Sequence, residues 1–195
     1  MIALKQRHGM AEVEAILSSI PDPEIPVISI RELGILRDVR FIADAEGNAS
    51  VDVTITPTYG GCPAMDQIRD DIVSALAQAG LNARVTTRLA PAWTTDWISP
   101  EGREKLRVYG IAPPHAAKSD QGGHQITIQF APKIIATHAY STRAKALNGS
   151  INEAVQCPRC HSANTTETSH FGSTSCKALY RCLDCMEPFD YFKPY

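Results

Sequence analysis

Two close pairs of cysteines near the end of the chain limit what it can fold into. They are Cys157-Pro-Arg-Cys160 and, after twenty-one intervening residues, Cys182-Leu-Asp-Cys185. Each pair sits on a tight turn, and two such turns aim four soft thiolates at one point. That is the closed, all-sulfur tetrahedral shell of a structural zinc ion, although the spacing runs one residue past the usual ribbon range. A tail of roughly forty residues is too short to bury a self-sufficient core, so metal binding is expected to fold it.

Zinc ribbons often bind nucleic acid, and here charge argues against that. The chain carries a net charge of −2. From Ile151 onward, Arg159, Lys177, Arg181 and Lys193 are outnumbered by Glu153, Glu167, Asp184, Glu187 and Asp190. Four thiolates around a divalent ion add further negative charge, which a phosphate-tracking surface does not tolerate. No apolar run approaches the roughly 20 residues of a membrane span. The stretch Met1–Met10 is too polar for an export signal. A cytoplasmic location follows as an expectation, and six cysteines in a reducing compartment read as ligands or reactive thiols.

The N-terminal part alternates helix and strand signals. Met10, Val13, Ile16, Leu17 and Ile20 recur at helical spacing, and Pro21, Pro23 and Pro26 end that helix at a rigid corner, Asp22-Pro23-Glu24. Strands are expected near 35–42 and 49–56, with Val51, Val53 and Ile55 on a buried face and Asp52 and Thr54 on a wet one. A turn at Glu46-Gly47-Asn48 joins them. Tyr59-Gly60-Gly61-Cys62-Pro63 leads into a second helix that Pro63 opens and Gly80 closes, with Met65, Ile68, Ile72 and Leu76 inward. A third strand, 84–89, completes α-β-β-α-β, a small α/β sandwich with helices on a mixed sheet. Ser99-Pro100 starts a third helix and Gly110 ends it. The expected division is an α/β domain over 1–114, a linker over 115–154 with a short strand near Ile126–Phe130, and a four-cysteine ribbon over 155–195.

Cys62 is the thiol of chemical interest outside the ribbon. At the mouth of a helix, free N–H groups stabilise an anion and lower a thiol pKa. Gly60 and Gly61 leave room for a second molecule. A small residue packed under the turn fits the spacing equally well, and both readings stay open. Asp22 and Glu24 either offer carboxylates toward the same edge or merely form the turn. Trp93 and Trp97 read as core or interface anchors. Cys176 is a spare ligand, a redox thiol or a packed ribbon residue, the last being preferred. His161 and His170 lie within the ribbon, where four cysteines already fill a shell.

Asp22-Pro23-Glu24-Ile25-Pro26-Val27, Leu33-Gly34 and Thr56-Pro57-Thr58-Tyr59-Gly60-Gly61-Cys62-Pro63-Ala64-Met65 together resemble the iron–sulfur assembly domain of SufT-like proteins. Three further strings narrow the resemblance: Pro91 to Ile98, Phe171 to Cys182, and Glu187 to Lys193. With them the chain resembles the D (or J) subunit family of the phenylacetyl-CoA epoxidase system, over residues 10–114 and about 155–195. No counterpart can be placed for 115–154. The resemblance implies a non-catalytic accessory protein that matures or repairs the iron–sulfur centre of the system's reductase. Cys62 matches the family's functional thiol and Asp22 with Glu24 its acidic corner. The implied cofactors are a structural zinc at Cys157, Cys160, Cys182 and Cys185 and a transient iron–sulfur cluster.

Two other readings remain: a structural adaptor among oxygenase subunits, and a redox carrier with iron in the four-cysteine site. An enzyme in its own right finds no support, because no phosphate-cradling glycine loop, metalloprotease motif or nucleophile elbow is present.

Overall fold

A computed structural model describes residues 9–43, 49–114 and 154–195, the side chains of 43 and 49 excepted. The expected turn at 46–48, the strand near 126–130 and all but the last residue of the 115–154 linker lie outside the described residues. Helix α1 (Met10–Ser18) leads into strands β1 (Leu36–Ala43) and β2 (Ala49–Ile55), helix α2 (Ala64–Gln78) and strand β3 (Asn82–Thr87). Next come a 3-10 turn, Thr95–Trp97, helix α3 (Pro100–Tyr109) and a two-residue strand β4 (Ile111–Ala112). The tail forms β5 (Thr165–Ser169), β6 (Lys177–Cys182) and β7 (Pro188–Phe192).

The first sheet has the order β1-β2-β3, with β1 antiparallel and β3 parallel to the central strand. This is the expected mixed sheet, because a helix between β2 and β3 returns the chain in the same direction. Met65, Ile68, Ile72 and Leu76 of α2 are buried against Val51, Val53 and Ile55. Pro63 occupies the cap position, so α2 begins one residue later than the proline-first reading expects. The third strand runs 82–87, not 84–89, and Leu89 is 67 % exposed.

The second face of β2 is not wet. Ser50, Thr54 and Thr56 are all buried, and the chain after β3 lies over Thr54 and Thr56. Arg37, Arg88, Pro91 and Trp97 surround Thr54 and Thr56, with the Arg37 guanidinium 3.4 Å above the Trp97 ring centre. Asp52 sits beside this layer, and its Oδ1 is a buried acceptor without a hydrogen-bond partner.

The corner between α1 and β1 is held by its own side chains. Oδ1 of Asp22 accepts from the Glu24 and Ile25 amides at 2.9 and 2.8 Å. The Asp22 amide donates to Ile28 and the Ile30 amide to Ile20, so Ile25, Ile28 and Ile30 all turn inward. Ser29 and Glu32 form a reciprocal box: the Ser29 amide donates to the Glu32 carboxylate and the Glu32 amide to the Ser29 hydroxyl. The expected rigid corner is therefore present, with a physical cause.

The ribbon sheet has the order β4-β7-β6-β5. Strand β4 pairs parallel with β7, so the segment after α3 becomes an edge of the ribbon. Phe192 and Cys176 of the tail belong to the same buried cluster as Val13, Leu33 and Ile98. The Trp93 indole donates to the Leu33 carbonyl at 3.0 Å while its ring meets Phe192 at 5.9 Å and Tyr195 at 6.3 Å. Trp93 is thus the anchor that joins the two sheets. Among the described residues no helix is long and apolar enough to cross a membrane.

Candidate functional site

The four ribbon cysteines converge. Their sulfurs all lie within 4.8 Å of one another, with Cys157 and Cys185 at 3.8 Å and Cys160 and Cys182 at 3.5 Å. A tetrahedral ion with metal–sulfur bonds of about 2.3 Å needs sulfur separations of about 3.8 Å, so the donor set fits. The Cys185 amide points at the Cys182 sulfur at 3.5 Å. Backbone N–H groups of Cys185 and Asp184 bring the Cys182 thiol down to about 7, where it readily loses its proton to solvent when a metal binds. None of the six cysteines is disulfide-bonded.

The two turns are held together from outside the sulfur shell. The Asp184 carboxylate accepts from the Ser162 hydroxyl and, at 2.7 Å, from the Asn164 amide group. The residue after each pair, His161 and Met186, has a left-handed backbone with φ of 61° and 65°. His161 is exposed, and among the described residues no histidine joins the sulfur group. His170 instead lies 3.3 Å from Glu167.

The second cluster forms where the acidic corner meets the turn before α2. Cys62 is half-buried, and its amide donates to the Tyr59 carbonyl. A methyl group built on Gly60 or Gly61 would meet nothing within 4 Å, and Gly61 has φ +86°. The two glycines thus face open space, and the neighbouring Cys62 is partly exposed. Asp22 is 4 % exposed, and burial raises its carboxyl above the usual range despite its two amide bonds. Glu24 is half-buried beside it.

The expected ionised thiol is corrected here. Burial raises the Cys62 pKa, and the charges of Glu24 and Asp22 push in the same direction. The Ala64 amide at the helix mouth and the Tyr59 hydroxyl do lower it, but they are outweighed. Cys62 is a neutral thiol at pH 7. A helix terminus acts only on its first turn, and two nearby carboxylates with partial burial overcome it.

One residue of this cluster is not anticipated. Cys176, preferred as mere packing, is 3 % exposed and lies in the acidic corner. Its sulfur is 3.9 Å from Oε2 of Glu24 and 3.0 Å from the Thr174 hydroxyl. Burial pushes its thiol up to about 11, with Glu24 and Asp22 adding to the rise. The Tyr59 hydroxyl interacts with the side chains of both Cys62 and Ser175, the residue before Cys176, and its own pKa is raised to about 12 by burial. Lys177, 5 % exposed, follows Cys176 and lies 3.7 Å from Asp190. The only signal for Cys176 in the sequence is a sixth cysteine lying outside both knuckles.

Residues 10–87 match the family described as iron-sulfur cluster assembly protein, and residues 141–193 match the PaaD zinc beta ribbon domain. A protein of Escherichia coli (strain K12), named as the D component of 1,2-phenylacetyl-CoA epoxidase, is 44% identical over 193 residues, covering 98% of this chain and 95% of that protein. An Fe-S protein maturation auxiliary factor of Porphyromonas gingivalis is 30% identical over 97 residues, 49% of this chain and 88% of its own length. A solved domain of unknown function from Bacillus anthracis is 28% identical, with a TM-score of 0.43, and covers 49% of this chain and 89% of that one. The likeness to the Escherichia coli protein runs through 115–154. That stretch, for which the motifs place no counterpart, lies within the aligned span.

Proposed function

Because the chain belongs to the family of the D component of 1,2-phenylacetyl-CoA epoxidase, we propose that it is an accessory protein that matures or repairs the iron–sulfur centre of that system's reductase. In this reading Cys62 is the working thiol, a transient ligand or docking point for the cluster, which is cargo and not a resident group. The observation that carries it is the half-exposed Cys62, which follows two glycines that face open space and feels the charges of Glu24 and Asp22. A neutral thiol suits intermittent work. It holds its proton until a metal centre arrives and releases it to solvent as the sulfur–metal bond forms. Iron–sulfur centres take about four ligands, so the client supplies most of the shell.

The ribbon cysteines Cys157, Cys160, Cys182 and Cys185 hold a zinc ion with a structural role. Zinc closes such a shell without redox chemistry, and zinc-loaded protein is colourless, whereas iron in the same site absorbs in the visible. Partners are the other subunits of the epoxidase system, in the cytoplasm.

The test is Cys62→Ser, expressed with the reductase. The expected result is a folded protein with its ribbon metal intact and a reductase with lowered iron–sulfur content. Full cluster loading beside the serine variant would remove the thiol from the reading and leave a structural adaptor.

A further inference from the structure

Strand β2 packs Val51, Val53 and Ile55 into the core with α2, so Thr54 and Thr56 alternate onto the other face of the sheet. On that face lies a cavity of about 180 Å³, and its walls include Thr54, Thr56, Arg37, Arg88, Asp38 and Trp97. A group of a few atoms placed in so small a space meets these residues together. No cysteine lines it.

The two arginines reach the cavity from opposite sides of β2. Pairing of β1 with β2 passes from Leu36–Ile55 directly to Asp38–Thr54. Arg37 is therefore the extra residue of a β-bulge, a device that re-aims a side chain. Its guanidinium carbon lies 3.4 Å above the Trp97 ring centre, a stacked contact that fixes the group without using its N–H donors. Arg88 follows β3. Its amide donates to the Ile55 carbonyl at 2.8 Å, which carries the β2–β3 pairing one step past Ile55–Thr87 and sets Arg88 beside Thr56.

The charge in this cavity is unbalanced. Asp38 is engaged by Arg40 at 2.6 Å. Among the described residues neither Arg37 nor Arg88 pairs with a carboxylate. Burial lowers the Arg37 pKa, and no neighbouring anion opposes it. Thr54 and Thr56 are 7 % and 3 % exposed, and among the described residues no hydrogen bond occupies either hydroxyl. A buried hydroxyl without a partner is costly, and an acceptor in the cavity relieves it.

These donors select their ligand. Two guanidinium charges are matched by a phosphate monoester, which carries roughly −1.5 to −2 near pH 7 and presents three acceptor oxygens. A carboxylate brings one charge and two oxygens. Pockets that enclose a whole small molecule run from about 300 to 1,000 Å³. This smaller one takes the phosphate group and leaves any carrier outside.

We propose that Arg37, Arg88, Thr54 and Thr56 form a binding site for a phosphate group, either the free ion or the end of a small phosphomonoester. Trp97 is a positioning residue that holds Arg37 in place. The site uses no thiol and no metal, so it stands or falls apart from the function proposed above.

The test is calorimetric titration of the full chain, with zinc in the ribbon, by inorganic phosphate, ethyl phosphate and acetate at constant ionic strength. The wild type should bind a phosphate saturably at one site, and acetate about tenfold more weakly or worse. Tighter binding of ethyl phosphate assigns the site to a phosphomonoester, and tighter binding of inorganic phosphate assigns it to the free ion. Losing one charged fork should weaken binding by about tenfold or more. That loss is expected for Arg88→Gln, at an exposed position, and for Arg37→Met, which keeps a side chain over Trp97. Arg88→Lys keeps the charge without the fork and should also bind less tightly than the wild type. Melting temperature and ribbon zinc verify the fold of each variant. No saturable binding of either phosphate at millimolar concentrations overturns the proposal, as does equal binding by the wild type, Arg37→Met and Arg88→Gln. Acetate bound as tightly as phosphate would make the cavity a carboxylate site and overturn it too.

Discussion

Glu24 and burial act on Cys62 in the same direction, and that sets its chemistry at the scale of a single residue. A thiol whose pKa is raised reacts slowly with iodoacetamide at pH 7 and faster as pH climbs, since the thiolate is the nucleophile. The rate profile of Cys62 is expected to have its midpoint above the ordinary thiol value. Glu24→Gln removes one of the charges that raise it, so the midpoint should move down and the rate near pH 7.5 should rise. A wild-type midpoint at or below the ordinary value, or no shift in the variant, contradicts this electrostatic picture. The same linkage bears on stability. Cys176, with its thiol near 11, contributes stability that is complete below the unfolded thiol value. That contribution is lost as pH rises through the folded one. None of this was legible from the turn sequence, which shows the helix mouth but not the carboxylates that share its space.

At the scale of elements, the parts set by local pattern were readable and the parts set by distant coverage were not. Helix α2 buries Met65, Ile68, Ile72 and Leu76 as its periodicity requires. Helix α3 is capped at its start by Ser99, whose hydroxyl accepts from Gly102, and after its end by Gly110 with φ +98°. Thr54 looked wet because strand alternation knows nothing of the later segment that covers it. The same segment explains Gly34. A methyl group there would lie 2.6 Å from Cβ of Trp97 and 2.7 Å from its carbonyl oxygen, at φ +77°. Gly34→Ala is expected to cost about 2–4 kcal/mol from crowding and backbone strain together, read by urea unfolding. A change below about 0.5 kcal/mol, the range of an unremarked surface site, would show that Trp97 does not lock onto this turn.

At the scale of the whole molecule, the ribbon is built into the protein and does not trail from it. Trp93 meets Phe192 and Tyr195, the Thr95 amide donates to the Tyr195 carbonyl at 3.3 Å, and β4 extends the ribbon sheet. The four-cysteine module could be read from its spacing alone. Its docking could not, because pairing between β4 and β7 and the approach of Cys176 to Glu24 join segments far apart in the chain. Trp93→Ala is expected to cost about 3–5 kcal/mol, as for other buried aromatics, and to loosen the ribbon while its metal stays bound. An unchanged melting temperature would mean that the two sheets do not depend on this contact. The central claim is that Cys62 serves an iron–sulfur client while the quartet only supports the fold. It is tested most directly by following the visible absorbance of metal-free reductase as its cluster is rebuilt without oxygen, in the presence of wild-type protein or Cys62→Ser. The account predicts faster or fuller recovery with the wild type and recovery no better than the reductase alone with the serine variant, whose ribbon zinc is unchanged. Equal recovery with both proteins would contradict it.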